Sequence, residues 1–187
     1  MSRSENFSRP PIQRQLRRLS RVMVWACWAL LVLLPLALLF YWVTASDTEL
    51  ALRANLPAQA MQAPLATWQR VAAGLVTAIP LALMLTGVWQ ARRCFNMFAR
   101  GQVFTQQATS LLGRFAGWVA WAALASLFAG SATSVLLTLG NPPGQRHVSI
   151  GIGSDQLLTL FFAGTVWLMA SVIAQGRSLA EENEGFV

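Results

Sequence analysis

The sequence predicts an all-α integral membrane protein, a four-helix bundle read as two consecutive helical hairpins with both termini cytoplasmic. Three observations carry this reading. The chain has 187 residues, of which 55% are hydrophobic and 11% charged; soluble domains carry roughly 45–50% apolar and about 25% charged residues. Four long apolar runs, Val22–Val43, Val71–Trp89, Phe115–Leu139 and Leu157–Ala174, contain no Asp, Glu, Arg or His. The arginines between these runs fall unevenly on two sides. The shortage of charge excludes an ordinary cytosolic enzyme and a disordered chain, and two cysteines are too few for a disulfide scaffold.

Each run is long enough to cross a hydrocarbon core of roughly 30 Å as a helix rising about 1.5 Å per residue. The first exceeds the usual apolar core of a signal peptide. It is therefore expected to be an uncleaved signal anchor, although Val43-Thr44-Ala45 loosely resembles a cleavage site. The implied layout is a basic N-terminal tail at 1–21, a four-span domain at 22–174 and an acidic C-terminal tail at 175–187.

The net charge of +7 comes from 14 arginines against seven acidic residues, with no lysine. Six arginines precede the first run, four (Arg92, Arg93, Arg100, Arg114) join the second to the third, and Arg177 follows the fourth. Only Arg53, Arg70 and Arg146 fall on the other side. Short loops rich in arginine stay inside, so the basicity reports topology, and no direct nucleic-acid binding is expected. Trp25, Trp28, Tyr41, Trp42, Trp68, Trp89, Trp118 and Trp167 lie mostly near span ends, where amphipathic rings prefer the interface. Trp121 sits deeper and is expected to be a packing residue.

Between the first two runs, Asp47-Thr48-Glu49-Leu50-Ala51-Leu52 predicts a short helix that stops before Pro57. The second run should continue as a helix to about Ala99 and end at Gly101, a residue suited to a left-handed cap. Thr105 then begins the next helix as its N-cap. Asn141-Pro142-Pro143-Gly144 predicts a turn, followed by a weakly alternating extended segment over 147–153. The fourth run is expected to end at Gly176. Ser178-Leu179-Ala180-Glu181 reads there as a capping box for a new helix, with Glu181, Glu182 and Glu184 in its first turns. Residues 99–107 align with 174–182 at an offset of 75, which suggests a parallel repeat.

Helices in lipid associate through small residues. The second run offers Gly74, Ala78, Ala82 and Thr86; the third offers Ala122, Ser126, Gly130, Ser134 and Thr138, both at i+4 spacing. These stripes are expected to pack on each other or on another subunit. Pro35 and Pro80 lie within spans, where they remove helix hydrogen bonds. No polar partners are evident at their depth, so they read as structural.

Candidate chemistry is sparse. His147 and Asp155 form one outward cluster, short of the three or four ligands of a zinc site. The Gly151-x-Gly153 piece lacks the third glycine of a nucleotide loop. No catalytic residue, metal or cofactor is assigned. Ion coupling usually needs ionisable groups within the spans, and none is present. Cys27 and Cys94 are expected to be buried or interfacial free thiols near the cytoplasmic face, with lipid attachment at Cys94 as the alternative.

The motifs Phe98-x-x-Gly101-x-x-Phe104-Thr105 and Gly176-x-x-Leu179-x-Glu181-Glu182-x-x-x-x-Val187, with four spans, resemble an uncharacterised bacterial membrane family, domain of unknown function 2975. Gln106 and Gln107 stand where acidic or Asn residues are typical. The resemblance implies small four-helix proteins of the cytoplasmic membrane, some encoded beside a small helix-turn-helix regulator, and no established activity. The function expected is thus a non-enzymatic accessory or regulatory protein. Its cytoplasmic surface, residues 90–114 and 175–187, would meet a protein partner through Arg92, Arg93, Arg100, Gly101, Phe104, Thr105, Gly176, Leu179, Glu181, Glu182 and Glu184. The alternative is an oligomeric channel or small-solute permease subunit. Expected partners are membrane lipid, a cytoplasmic regulator or another membrane protein, and a second copy of the chain.

Overall fold

A computed structural model describes residues 11–54, 56–57, 64–102, 105–142, 146, 148–149, 151 and 153–184. They form five helices: α1 (Pro11–Thr44), α2 (Asp47–Arg53), α3 (Thr67–Ala99), α4 (Gln106–Thr138) and α5 (Ser154–Glu184). No strand occurs among the described residues; of the expected extended stretch at 147–153, residues 147, 150 and 152 lie outside them. Each of the four apolar runs falls within one long helix, except that the third ends one residue beyond α4. α1, α3, α4 and α5 are long and apolar enough to cross a membrane. A helix of 33 residues, such as α3 or α4, extends about 50 Å, well past the hydrocarbon thickness. Residues 11–21, in the basic segment before the first apolar run, are already helical and continuous with α1.

The apolar side chains of these helices face outward. Leu33, Leu36, Leu39 and Phe40 of α1, Phe128 of α4, and Phe161 and Phe162 of α5 are all more than half exposed. An aqueous protein would cover such surface; a lipid solvent accepts it. Trp121, expected to be a packing residue, is 64% exposed and belongs to this outer surface. Its depth along α4 was readable from sequence, but the direction it faces was not.

Helix ends follow local chemistry. Ser46 caps α2 in a reciprocal capping box: its Oγ accepts from Glu49 N (3.4 Å), and Glu49 Oε2 accepts from Ser46 N (2.8 Å). α3 stops at Gly101, whose φ of +87° is left-handed, and Gln102 N–H returns to the Met97 carbonyl at 3.0 Å. Thr105 Oγ1 accepts from Ala108 N (3.2 Å) and starts α4. The matching corner at Gly176 does not form. α5 runs unbroken through Gly176 and Ser178 to Glu184, so the capping box is absent and the two corners differ. A single helical glycine costs only about 1 kcal/mol, and Gln175, Arg177, Leu179 and Ala180 carry the helix across it. Glu181, Glu182 and Glu184 therefore lie in the last turns of a helix, where the dipole disfavours negative charge.

The helices pack in a row: α1 on α3, α3 on α4, and α4 on α5, with the α3–α4 interface the largest. Close approach occurs where one side is small. Gly74 of α3 receives the Trp42 ring of α1, 3.5 Å from the position a Cβ would take, and Trp42 Nε1 donates to Thr77 Oγ1 at 2.9 Å. Gly87 faces Trp118 and Val119 of α4. The α3 stripe is thus not the α3–α4 seam: Gly74 meets α1, Ala78 is half-buried, and Ala82 and Thr86 are exposed. On α4, Ala122, Ser134 and Thr138 are buried and Ser126 half-buried, while Gly130 is exposed. Ala163 and Ala170 form the buried face of α5.

A Cβ at Gly87 would stand 3.3 Å from Trp118 Cβ. Gly87→Leu is therefore expected to wedge α3 from α4 and lower stability by about 1–3 kcal/mol. Gly113→Leu, with open space at its Cβ, should change stability far less. Both are checked by denaturation in mixed micelles.

Candidate functional site

At the α2 end of the bundle, polar groups tie α1, α2, α3 and α4 together. Arg70 Nη2 pairs with Asp47 Oδ1 at 2.7 Å, and Arg70 Nη1 donates to the Trp42 carbonyl at 3.2 Å. Asp47 Oδ2 accepts from Leu65 N at 3.3 Å. Gln69, 4% exposed, donates through Nε2 to the Leu136 carbonyl of α4 (2.9 Å) and accepts from Ala66 N. The apolar side of α2, Leu50 with Ala51, sits on a cluster with Ala45, Leu56, Ala73 and Leu137. α2 is held as a lid over the helices by both sets of contacts.

Beneath it lies a cavity of about 400 Å³, within the usual range for small-molecule sites. Leu34, Ala37 and Leu38 of α1, Leu81 of α3, and Gly130 and Thr133 of α4 form its walls, and Leu50, Arg53 and Ala54 its roof. Its polar groups are few. The Arg53 guanidinium lies over the Tyr41 ring, 4.7 Å from the centroid, and has no hydrogen-bond or ion-pair partner among the described residues. Thr133 Oγ1 is buried without a hydrogen-bond partner among them. A second hollow of about 230 Å³ shares Arg53, Thr77 and Gly130 and adds Pro80, Ser126, Ser149 and Gln156. Pro80 therefore does have polar neighbours. They come from α4 (Ser126), the segment before α5 (Ser149) and the first turn of α5 (Gln156), which lie apart from Pro80 in sequence.

The opposite end is basic. Arg17 Nη2 lies 3.4 Å from the Cβ position of Gly101, so the start of α1 meets the α3–α4 corner. Arg18, Arg21, Arg93, Arg100 and Arg114 are exposed, and none has an ion-pair partner among the described residues. Arg92 differs from its neighbours. It is half-buried and stacked on Trp28 (4.7 Å) and Trp89 (4.1 Å), whose rings meet edge to face at 6.1 Å. Its charge is held by aromatic faces and is not presented to a partner as expected. Its Nε and Gln90 Oε1 are buried without hydrogen-bond partners among the described residues. Gly101 and Gly176 are exposed, while the Thr105 hydroxyl is engaged in its cap. Phe104, His147 and Val187 lie outside the described residues, as do the side chains of Leu179, Glu181, Glu182 and Glu184.

Cys94 is 1% exposed and its Sγ donates to the Ala108 carbonyl at 3.5 Å; Cys27 is 6% exposed against Val88 and Ala91. Both are free thiols, and burial in the α1–α3 and α3–α4 seams leaves Cys94 no room for an attached acyl chain. Asp155 is exposed in the first turn of α5.

The sequence reading missed Tyr41, Arg53, Thr77 and Thr133 as a group. No local motif joins them; Ser46-x-x-Glu49 was the visible signal that α2 would be well defined. Residues 54–186 match the family described as a protein of unknown function, DUF2975, and the chain belongs to that family. The match begins at the end of α2 and takes in α3, α4 and α5. No curated protein and no solved structure matches the chain.

Both cysteines are expected to resist maleimide in intact membranes and to react after denaturation, as read by mass shift. The hydrogen bonds from Ser46 hold the Glu49 carboxyl below its ordinary value. A carboxyl depressed by folding contributes fully above its unfolded pKa and loses that contribution as pH falls through the folded value. Protection of the α2 amides, taken as exchange relative to the intrinsic rate at each pH, should therefore fall in acid for the wild type. The acid-dependent part of that fall should be absent in Glu49→Gln, which keeps an acceptor that does not titrate.

Proposed function

We propose that this is a non-enzymatic accessory or regulatory protein of the bacterial cytoplasmic membrane, with both termini inside, that presents its basic end to an acidic protein partner. One observation carries the reading: Arg17 against Gly101 gathers the start of α1 and the α3–α4 corner into one surface. Its exposed arginines, Arg18, Arg93, Arg100 and Arg114, have no carboxylate partner among the described residues. Arginine excess on short connections supports placing this end in the cytoplasm. Exposed, unpaired cations steer an acidic surface into contact and add little to stability. The end of α5, with Glu181, Glu182 and Glu184, would lie at the same side of the membrane and give the surface an acidic margin.

The second reading is a small-solute permease or channel subunit. The observation favouring it is the polar hollow beside Pro80, with Ser126 and Gln156. Solute flux in proteoliposomes that disappears on Ser126→Leu would select it over the regulatory reading.

Cross-linking in native membranes followed by mass spectrometry should recover a cytoplasmic partner with the wild type. Arg93→Gln with Arg100→Gln should reduce that capture about tenfold or more while expression is unchanged, since two charge-assisted contacts are removed. Equal capture by both chains overturns the reading, as does labelling of either terminus from the outside of intact cells.

A further inference from the structure

The cavity under α2 combines two surfaces that different ligand classes would choose separately. Its lower wall is hydrocarbon: Leu34, Ala37 and Leu38 on α1 face Leu81 on α3, with Gly130 leaving space between them. Its upper rim carries one unengaged cation. Arg70, at the start of α3, is occupied by Asp47 and the Trp42 carbonyl. Among the described residues Arg53 has only the face of Tyr41, so the edge of its guanidinium, which carries the donors, is open toward them. A planar fork of this kind binds carboxylate or phosphate through paired hydrogen bonds.

A second observation independently points to a polar ligand atom. Thr133 is 7% exposed, lines the cavity, and its Oγ1 has no hydrogen-bond partner among the described residues. Helical threonines ordinarily bond back to a carbonyl one turn earlier, as Thr77, Thr138 and Thr159 do here. A buried hydroxyl left without a partner is unfavourable, and a ligand oxygen or its water reaching Oγ1 would relieve that.

We propose that this cavity binds an amphiphile with a single alkyl chain and an anionic oxyacid head, a carboxylate or a phosphate monoester. The head sits on Arg53 at the rim, and the chain runs between α1, α3 and α4 past Leu38 and Leu81. A polar solute would leave the leucine walls unmatched; a neutral lipid would leave Arg53 unmatched. A chain already dissolved in lipid gains little by entering a protein cavity of equal polarity, so the head group decides selectivity. The proposal is independent of the partner at the basic end, which lies at the other side of the bundle.

The test uses the full-length protein in phosphatidylcholine nanodiscs, with native mass spectrometry reading occupancy. Hexadecanoic acid in its ionised form, hexadecyl phosphate and hexadecanol are titrated separately. At least one of the two anions should bind about tenfold or more tightly than the alcohol, the gain of a charge-assisted pair; the two anion arms separate a carboxylate head from a phosphate head. Arg53→Gln should remove that preference, and Arg53→Lys should retain part of it. Gly130→Leu, placed where a Cβ meets nothing within 4 Å, should exclude all three chains without disturbing the fold. Thr133→Val should weaken anion binding by a smaller factor. Equal binding of alcohol and both anions overturns the proposal, because annular lipid would behave that way. So does wild-type anion binding in either Arg53→Gln or Gly130→Leu, with circular dichroism confirming that each variant is folded.

Discussion

Apolar helices in an apolar solvent release no water when they touch, so they associate only where their backbones can come close or a polar group finds a partner. The seams of this molecule obey that constraint. Trp42 seats on Gly74, and the first turn of the Trp118 side chain meets Gly87. Cys94 fits against Ala108 and Leu111, and Ala163 and Ala170 line the inner face of α5. Large side chains are left outside, on lipid, and the core of the bundle is built mostly from alanine, glycine, serine and threonine.

The same economy of side-chain volume opens space. Between α1 and α4, Ala37 and Gly130 are too small to fill the gap, and the cavity below α2 results. α2 cannot be held there by apolar contact alone, being only seven residues long. Its capping box fixes its start, and the Asp47–Arg70 pair joins it to α3. That pair is partly exposed, and its main effect is positional: it engages one arginine of this end and leaves Arg53 free above the cavity.

The two ends of the bundle have opposite electrostatic character. At the α2 end several donors and acceptors are paired across elements, as Gln69 shows by joining the start of α3 to Leu136 of α4, while Arg53 and Thr133 at the cavity have no hydrogen-bond partner among the described residues. At the other end arginines gather without described carboxylates, except Arg92, which aromatic rings hold.

Sequence alone determined whatever depends on a residue and its near neighbours. The four apolar runs, the short helix before Pro57, the left-handed stop at Gly101 and the Thr105 cap were all readable, because hydrophobicity, capping and glycine's freedom act within a turn or two. Tertiary structure decided what depends on distance along the chain. Gly176 resembles Gly101 in its neighbours, yet α5 continues through it, since a glycine permits a stop without imposing one. Arg92 lost its expected exposure to Trp28, which is distant in sequence, and Trp121 turned outward because packing, not depth, sets direction. Tyr41, Arg53 and Thr133 share a cavity only after α1, α2 and α4 have come together. No local pattern encodes that meeting, because nothing forces these residues to be adjacent until the helices have packed.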